Sequence, residues 1–324
     1  MYALPLEHPL TKRQKIIIDT DPGQDDAVAI LLALASPQEL ELLGVVAVAG
    51  NVPLSHTSNN ARKVLELGGR PDIPVYAGCR RPMMRSPRTA EYVHGPTGLN
   101  GPDLPAPKMP LEKQHGVDWL IDTIMAHPPG EIILCTLGPL TNIGMALVKA
   151  PDIATRIKRI VMMGGGYFEA GNVTPAAEFN VYVDPEAADV ALRSGAPITI
   201  LPLDVTHQVL STPERIAAIR SLGNRTGKAV AEMLTFSEVF DRKKYGWPGG
   251  PLHDPNVIAW LLAPQLYQGR EINVTIETAS PLTLGATVAD WWGVTDRPHN
   301  ALFLRDVDAE GFYALLLERL ARLP

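Results

Sequence analysis

The stretch IIIDTDPGQDDAVAILLALA, residues 16 to 35, joins two apolar runs through a short acidic segment. The first run is β-branched and reads as a strand, while the second has the composition and length of a helix. Asp19, Asp21, Asp25 and Asp26 fall within eight positions between them. At ~4 Å each like-charged pair repels by about 1 kcal/mol in water and about 4 kcal/mol near a protein surface. One or two carboxylates ahead of a helix would only cap its free N–H groups and suit its positive end. Four exceed what one helix start satisfies, and a hard divalent cation with all-oxygen ligation would neutralise the surplus.

The same alternation repeats along the chain. Apolar runs KIIID (15–19), LLGVVAV (42–48), EIILC (131–135), RIVMM (159–163) and PITIL (197–201) are separated by helical patterns such as TSNNARKVLELGG, GVDWLIDTIMAH, LTNIGMALVKA and PEAADVALRSG. Continuous apolar strands separated by crossover-length helices indicate an α/β fold: an open, mostly parallel central sheet with helices on both faces. In such sheets ligands bind beyond the carboxyl ends of the strands, where the unusual residue clusters of this chain also fall. Two regions interrupt the pattern, the proline-rich segment 80–112 and the segment 236–253, FSEVFDRKKYGWPGGPLH, which leaves a helix for Gly and Pro. Long irregular segments of this kind commonly form binding loops.

The bulk numbers agree with a compact soluble protein: 324 residues, 46% hydrophobic and 20% charged. With no low-complexity linker, residues 1–324 read as one domain, with 1–14 as an N-terminal extension. The net charge is −6, and no basic run exceeds Arg80–Arg81 or Arg242–Lys244, which argues against nucleic acid as a partner. Cys79 and Cys135 are too few for a disulfide framework and form no metal cluster. There is no leader-like apolar segment and no run of about 18 apolar residues, so the expectation is a cytoplasmic protein without a membrane partner.

Three further clusters follow strands. VAGN places Asn51 after the second strand, and MGGGYFEAGNVTPAAEFN places Asn172, Glu178 and Asn180 after the glycine triplet 164–166. LHDPNVIAW sets His253 and Asp254 at the start of a helix with Pro255 in its first turn. Singly these residues are ordinary turn and capping residues. Jointly, carboxylates and amides suit a cation and a polyhydroxylated ligand, whose hydroxyls both donate and accept.

Taken in order, DTDPGQDDAVAI, VAGN, LGPLTNI, MGGGY with GN, AEFN and DPEAA, and HDP resemble the inosine-uridine preferring nucleoside hydrolase family over roughly residues 15 to 320. The resemblance implies Ca²⁺ held by the side chains of Asp21, Asp26 and Asp254 and by the carbonyl of Leu137. It implies that Asp25, Asn51 and Asn180 hold ribose hydroxyls and that Asn172 and Glu178 take the 5′-hydroxyl, with Met163 and Phe179 also in the substrate site. His253 would stand near the base with Tyr245, and His94 matches a loop histidine that closes over the ligand. The segment between Tyr167 and Asn172 is one residue longer than in familiar members, and before His253 the chain offers Phe236, Phe240 and Tyr245 where members carry tyrosines. A homotetramer or homodimer is the assembly implied.

The activity implied is hydrolysis of ribonucleosides, inosine and uridine first and then cytidine, to ribose and free base. Asp21 would activate water and His253 would assist the departing base, its intrinsic pKa being near neutrality. Two other readings of the acidic strand end are a Mg²⁺-dependent phosphohydrolase and a non-catalytic nucleoside or sugar binding protein with a structural Ca²⁺. The first should carry a basic or glycine-rich phosphate cradle, and the second has no use for a base at position 21.

Overall fold

The computed structural model describes residues 13–324. β1 (Gln14–Thr20) runs into α1 (Gln24–Leu34), followed by β2 (Leu40–Ala47), α2 (Leu54–Leu67), β3 (Val75–Ala77) and the short α3 (Glu91–His94). α4 (Gly116–Ala126), β4 (Ile132–Thr136), α5 (Thr141–Lys149), β5 (Arg159–Met163), α6 (Phe179–Val183), α7 (Pro185–Leu192) and β6 (Ile198–Leu201) come next. Beyond them lie α8 (Leu203–Thr206), β7 (Leu210–Ser211), α9 (Pro213–Arg220), α10 (Arg225–Tyr245), β8 (Gly250–Pro251) and α11 (Pro255–Leu262). The last elements are β9 (Tyr267–Ile272), β10 (Val274–Ile276), β11 (Thr287–Ala289), β12 (Ala301–Val307) and α12 (Ala309–Leu320).

Eight strands form one sheet in the order β3-β2-β1-β4-β5-β6-β12-β9. Every neighbouring pair is parallel except β12 with β9. The strand order turns back at β1, which pairs with β2 on one side and β4 on the other. A reversal of this kind opens a crevice beyond the strand ends, because the two flanking connections leave to opposite faces.

The apolar strands are covered on both faces. Ile16 and Ile18 join the cluster that holds Val28, Leu31, Val64, Val257 and Phe312. Ile17 joins a second cluster with Val117, Leu120, Ile143 and Leu147. Alternate residues of β1 thus feed opposite layers, as period-two geometry requires.

The structure corrects two boundaries. Gln14 is the first residue of β1 and pairs with Leu40, so the N-terminal extension is shorter than residues 1–14, and its residues 1–12 lie outside the described residues. Segment 236–253 is not loop from its start, because α10 continues to Tyr245 and ends at Gly246 in the left-handed conformation (φ 70°). Asn224 caps the helix at Gly227 N, and the run from Lys228 to Tyr245 offers no glycine or proline to stop it sooner. Phe236, Phe240 and Tyr245 therefore stand on a helix. One edge of the sheet, β9 against β12, is antiparallel. Among the described residues no helix is long and apolar enough to cross a membrane.

α1 fixes the acidic turn relative to the sheet, and all of its residues but Asp25 are buried. A helix apolar on every side depends on packing all round. Leu31→Ala is therefore expected to lose about 2–5 kcal/mol of unfolding free energy in urea titration. A loss below that range would mean the helix repacks.

Candidate active site

The carboxylates after β1 have separate supports. Asp26 Oδ1 accepts from Thr20 Oγ1 at 2.5 Å and Oδ2 accepts from Gly23 N at 2.9 Å, so this residue also caps α1. Asp21 Oδ2 accepts from Asn51 N at 2.7 Å, whereas Oδ1 is buried with no partner. Gly50 and Gly138 make room for it, since a Cβ on either would come within 2.0 and 2.4 Å of the Asp21 oxygens. Behind it, Asp19 Oδ2 accepts from Asn142 Nδ2 at 2.7 Å. From the far side α11 brings Asp254, which makes no capping bond to its own helix.

Carboxylate oxygens of Asp25, Asp26 and Asp254 lie within 4.8 Å of one another. Burial, and then their mutual repulsion, raises Asp21 and Asp254 well above the usual carboxylate range, and burial pushes Asp25 up to about 6 and Asp19 to about 8. No buried Lys or Arg offsets this charge among the described residues. An all-oxygen group with clashing charges and an unpaired buried oxygen at Asp21 fits a hard divalent cation. Asp25, expected to serve ribose alone, belongs to the close trio. Asp21 does not, being drawn aside by Asn51 N.

Next to this cluster lies a floor of amides and one further carboxylate. Asn51 Nδ2 donates to Asp21 O and to Asp26 Oδ2, both at 3.2 Å. Asn180 Nδ2 donates to the Leu137 carbonyl at 2.6 Å and to Met163 O at 3.3 Å, tying the ends of β4 and β5. Glu178 caps α6, with Oε1 accepting from Asn180 N and Oε2 from Gly165 N and Val181 N. Gly165 has φ 77° and a Cβ there would meet Thr287 Oγ1 at 2.5 Å, which explains a glycine at this approach. Burial raises Glu178 to about 7. Asn172 Oδ1 accepts from Phe179 N at 2.9 Å.

The rim is formed by helices and loops. His94, on α3, has Nδ1 2.7 Å from Gln24 Oε1, and burial lowers it to about 4. His253 Nδ1 lies 2.7 Å from Thr206 Oγ1. Burial, with His207 and His94 nearby, pushes His253 well below the usual histidine range, so the near-neutral value expected from sequence is corrected to a neutral imidazole at pH 7. Tyr245 stacks on Trp247 with centroids 4.3 Å apart. Lys244 Nζ donates to the Asn172 carbonyl at 2.5 Å, linking α10 to the loop before α6.

One pocket is lined by Asp25, Asn51, His94, Leu137, Met163, Asn172, Glu178, Phe179, Asn180, Tyr245, His253 and Asp254. Asp21 and Asp26 lie beneath that lining, 1% and 0% exposed. The residues singled out in the sequence are thus brought to one place, with Phe240 among the lining, except Phe236, which faces a separate surface groove beside Thr235, Val239 and Lys243. Missed were Asp241, Lys244 and Ser237 on the inner side of α10, and the supports Thr206 and Asn142. A charged helix such as FSEVFDRKKY gives no sign of which side meets a pocket. Asp204, also missed, accepts from the N–H groups of Tyr167, Phe168 and Glu169 and so anchors the loop that the sequence marked as one residue longer.

Comparison with known proteins places this geometry. Residues 16–314 match the sequence model described as inosine-uridine preferring nucleoside hydrolase. An uncharacterized protein of Schizosaccharomyces pombe is 56% identical over 310 residues, covering 96% of this chain and 100% of its own. The pyrimidine-specific ribonucleoside hydrolase RihA of Shewanella sp. (strain ANA-3) is 47% identical over 307 residues, 94% of this chain and 96% of that protein. Among solved structures, the purine-preferring ribonucleoside hydrolase from Gardnerella vaginalis superposes with a TM-score of 0.88 at 34% identity, covering 95% of this chain and 98% of that one. An acidic, amide-floored pocket at the turning point of a parallel sheet, with these relatives over nearly its whole length, means that the chain belongs to the inosine-uridine preferring nucleoside hydrolase family and is an N-glycosyl hydrolase of ribonucleosides.

Proposed function

We propose that this enzyme hydrolyses pyrimidine ribonucleosides in preference to inosine, by direct attack of water and with Ca²⁺ as its resident metal. The convergence of Asp25, Asp26 and Asp254 beside the unpaired oxygen of Asp21 carries this reading. The preference for pyrimidines is supported by the name of the 47% identical relative. Ca²⁺ would be held by Asp21, Asp26, Asp254 and the Leu137 carbonyl, with Asp25 in reach of the same ion. When bound it neutralises these carboxylates and lowers the pKa of water in its coordination shell.

The chain's own groups then have distinct tasks. Asp21 accepts the proton of the attacking water through the oxygen left without a partner. Asp25, Asn51 and Asn180 bind ribose hydroxyls and fix the anomeric carbon over that water, a use of orientation that can reach roughly 7–11 kcal/mol in favourable systems. Positive charge develops on the ribose ring as the bond to the base breaks, and the fixed oxygens beneath it stabilise that charge. Glu178, immobilised by three backbone N–H groups, binds the 5′-hydroxyl with Asn172. We assign Thr206 Oγ1, 2.7 Å from His253 Nδ1, as the donor of that bond, which puts the hydrogen of the neutral ring on Nε2, where it can bond to the departing base. A phosphohydrolase is disfavoured, since Lys244 is the one Lys or Arg among the described lining residues and Glu178 would repel a phosphate. A single-domain, cytoplasmic homo-oligomer completes the proposal.

Three outcomes are expected. Chelation should abolish ribose release in a reducing-sugar assay and Ca²⁺ should restore it, while Asp21→Ala should stay inactive with Ca²⁺ present yet remain folded by circular dichroism. Wild-type kcat in Asp21→Ala would remove the base assignment. Uridine should be cleaved, but uridine 5′-monophosphate and 2′-deoxyuridine should lose about 10⁴-fold in kcat/KM through repulsion at Glu178 and unpaired groups beneath the ribose. Equal rates on uridine and its monophosphate would point instead to a phosphohydrolase. His253→Ala should lose roughly 10²- to 10³-fold on uridine, the scale of one hydrogen-bond donor to developing charge. It should be nearly unchanged on p-nitrophenyl riboside, whose leaving group needs no such bond, and an equal loss on both substrates would assign His253 to the ribose or to Asp254.

A further inference from the structure

The side of α10 that meets the pocket presents Leu234, Ser237, Asp241, Lys244 and Tyr245, spaced as one side of a helix is spaced. Polar groups around the base end are mostly engaged. His253 Nδ1 is taken by Thr206, His94 Nδ1 by Gln24, and Lys244 Nζ by the Asn172 carbonyl. Asp241 is different: its side chain lines the pocket, yet no hydrogen bond or ion pair joins it to another described residue. Gly250 keeps its flank clear, since a Cβ there would come within 3.0 Å of Asp241 Oδ2. The carboxylate stands within electrostatic reach of Asp25 at the ribose end, of Tyr245 at the rim and of Lys244 one turn along α10, whose ammonium donates its hydrogen bond to the Asn172 carbonyl instead. A ribose seated on Asn51 and Asn180 would point its base along α10, toward an acceptor that takes no hydrogen bond from any other described residue.

We propose that Asp241 selects the base by accepting a hydrogen bond from the exocyclic amino group of cytosine, making cytidine the preferred pyrimidine ribonucleoside. Cytosine offers an N–H donor where uracil offers a carbonyl oxygen, and a carboxylate accepts from the first and repels the second. This inference rests on the reading of the pocket as a pyrimidine ribonucleoside site.

The test compares wild type with Asp241→Asn, with Ca²⁺ present, at pH 8.5, above the value of about 7 to which burial and Asp25 raise this carboxyl. kcat/KM is measured on cytidine, uridine and p-nitrophenyl riboside. Wild type should favour cytidine. In the variant the cytidine-to-uridine ratio should fall about tenfold, because a neutral hydrogen bond replaces one roughly twice as strong and the new amide can donate to the uracil oxygen. p-Nitrophenyl riboside, with no such edge, should be turned over at nearly the wild-type rate, which also shows that the variant folds and holds ribose. Asp241→Gln serves the same comparison if the asparagine variant does not accumulate. Preference of wild type for uridine, an unchanged ratio, or an equal loss on all three substrates would overturn the role of Asp241 in reading the base. Absence of ribose release from every pyrimidine nucleoside by wild type, with inosine still cleaved, would instead overturn the underlying substrate class.

Discussion

Everything around the pocket answers to one electrostatic demand, which is to hold Asp21, Asp25, Asp26 and Asp254 together out of water with no positive side chain among them. Each buried carboxylate loses hydration, and each neighbour adds repulsion, so ionisation is resisted throughout the group. The protein answers with hydrogen-bond donors of fixed position: Thr20 and Gly23 for Asp26, Asn51 N for Asp21, Asn142 for Asp19. These donors come from strand ends and helix starts, where backbone N–H groups are free. They do not satisfy every oxygen, and the remainder at Asp21 and Asp19 is an unpaid electrostatic debt that a divalent cation would discharge.

The sheet topology makes such crowding possible. β1 sits where the strand order reverses, so α1 and the turn after β4 leave in different directions and the strand ends stay uncovered. Gly50 and Gly138 let the turns after β2 and β4 approach Asp21 so closely that side chains there would collide with it. Asn180 then bonds the carbonyls of Leu137 and Met163 at once, fixing two strand ends with one amide. The floor is consequently rigid for the same reason that it is acidic: its members are each other's supports.

What could be read from the sequence follows from how local each signal is. β1 and α1 announce themselves through continuous apolar runs, and the acidic turn between them is conspicuous because four like charges in eight positions have no ordinary structural use. The clusters at Asn51, Asn172 to Asn180 and His253 to Asp254 could be placed because each follows a strand or opens a helix. Thr206 and Asn142 could not be found in this way. Their roles exist only across 47 and 123 positions of chain, toward His253 and Asp19, and neither residue type is unusual where it stands. The end of α10 is hard to place from sequence because it is charged and aromatic rather than periodic, and its stop depends on Gly246 adopting a left-handed conformation. The lowered pKa of His253 was equally illegible, since it arises from burial and not from composition.

The two parts of the pocket differ in how they are held, and this bears on which part is free to change. Floor residues are locked by bonds to one another and to strand ends, so a substitution there unpairs a buried group and disturbs the acidic cluster. Rim residues come from α3, α10 and the loop before α6, and several of them meet the rest of the protein through a single bond or a ring contact. A change at Ser237, Asp241 or Tyr245 alters which atoms face the pocket while leaving the carboxylates and their supports untouched. A relative 47% identical is named for pyrimidines, and a structure matching at a TM-score of 0.88 is named for purines. A floor constrained by buried charge and a rim built on one side of a helix leave the rim free to vary while the floor stays fixed.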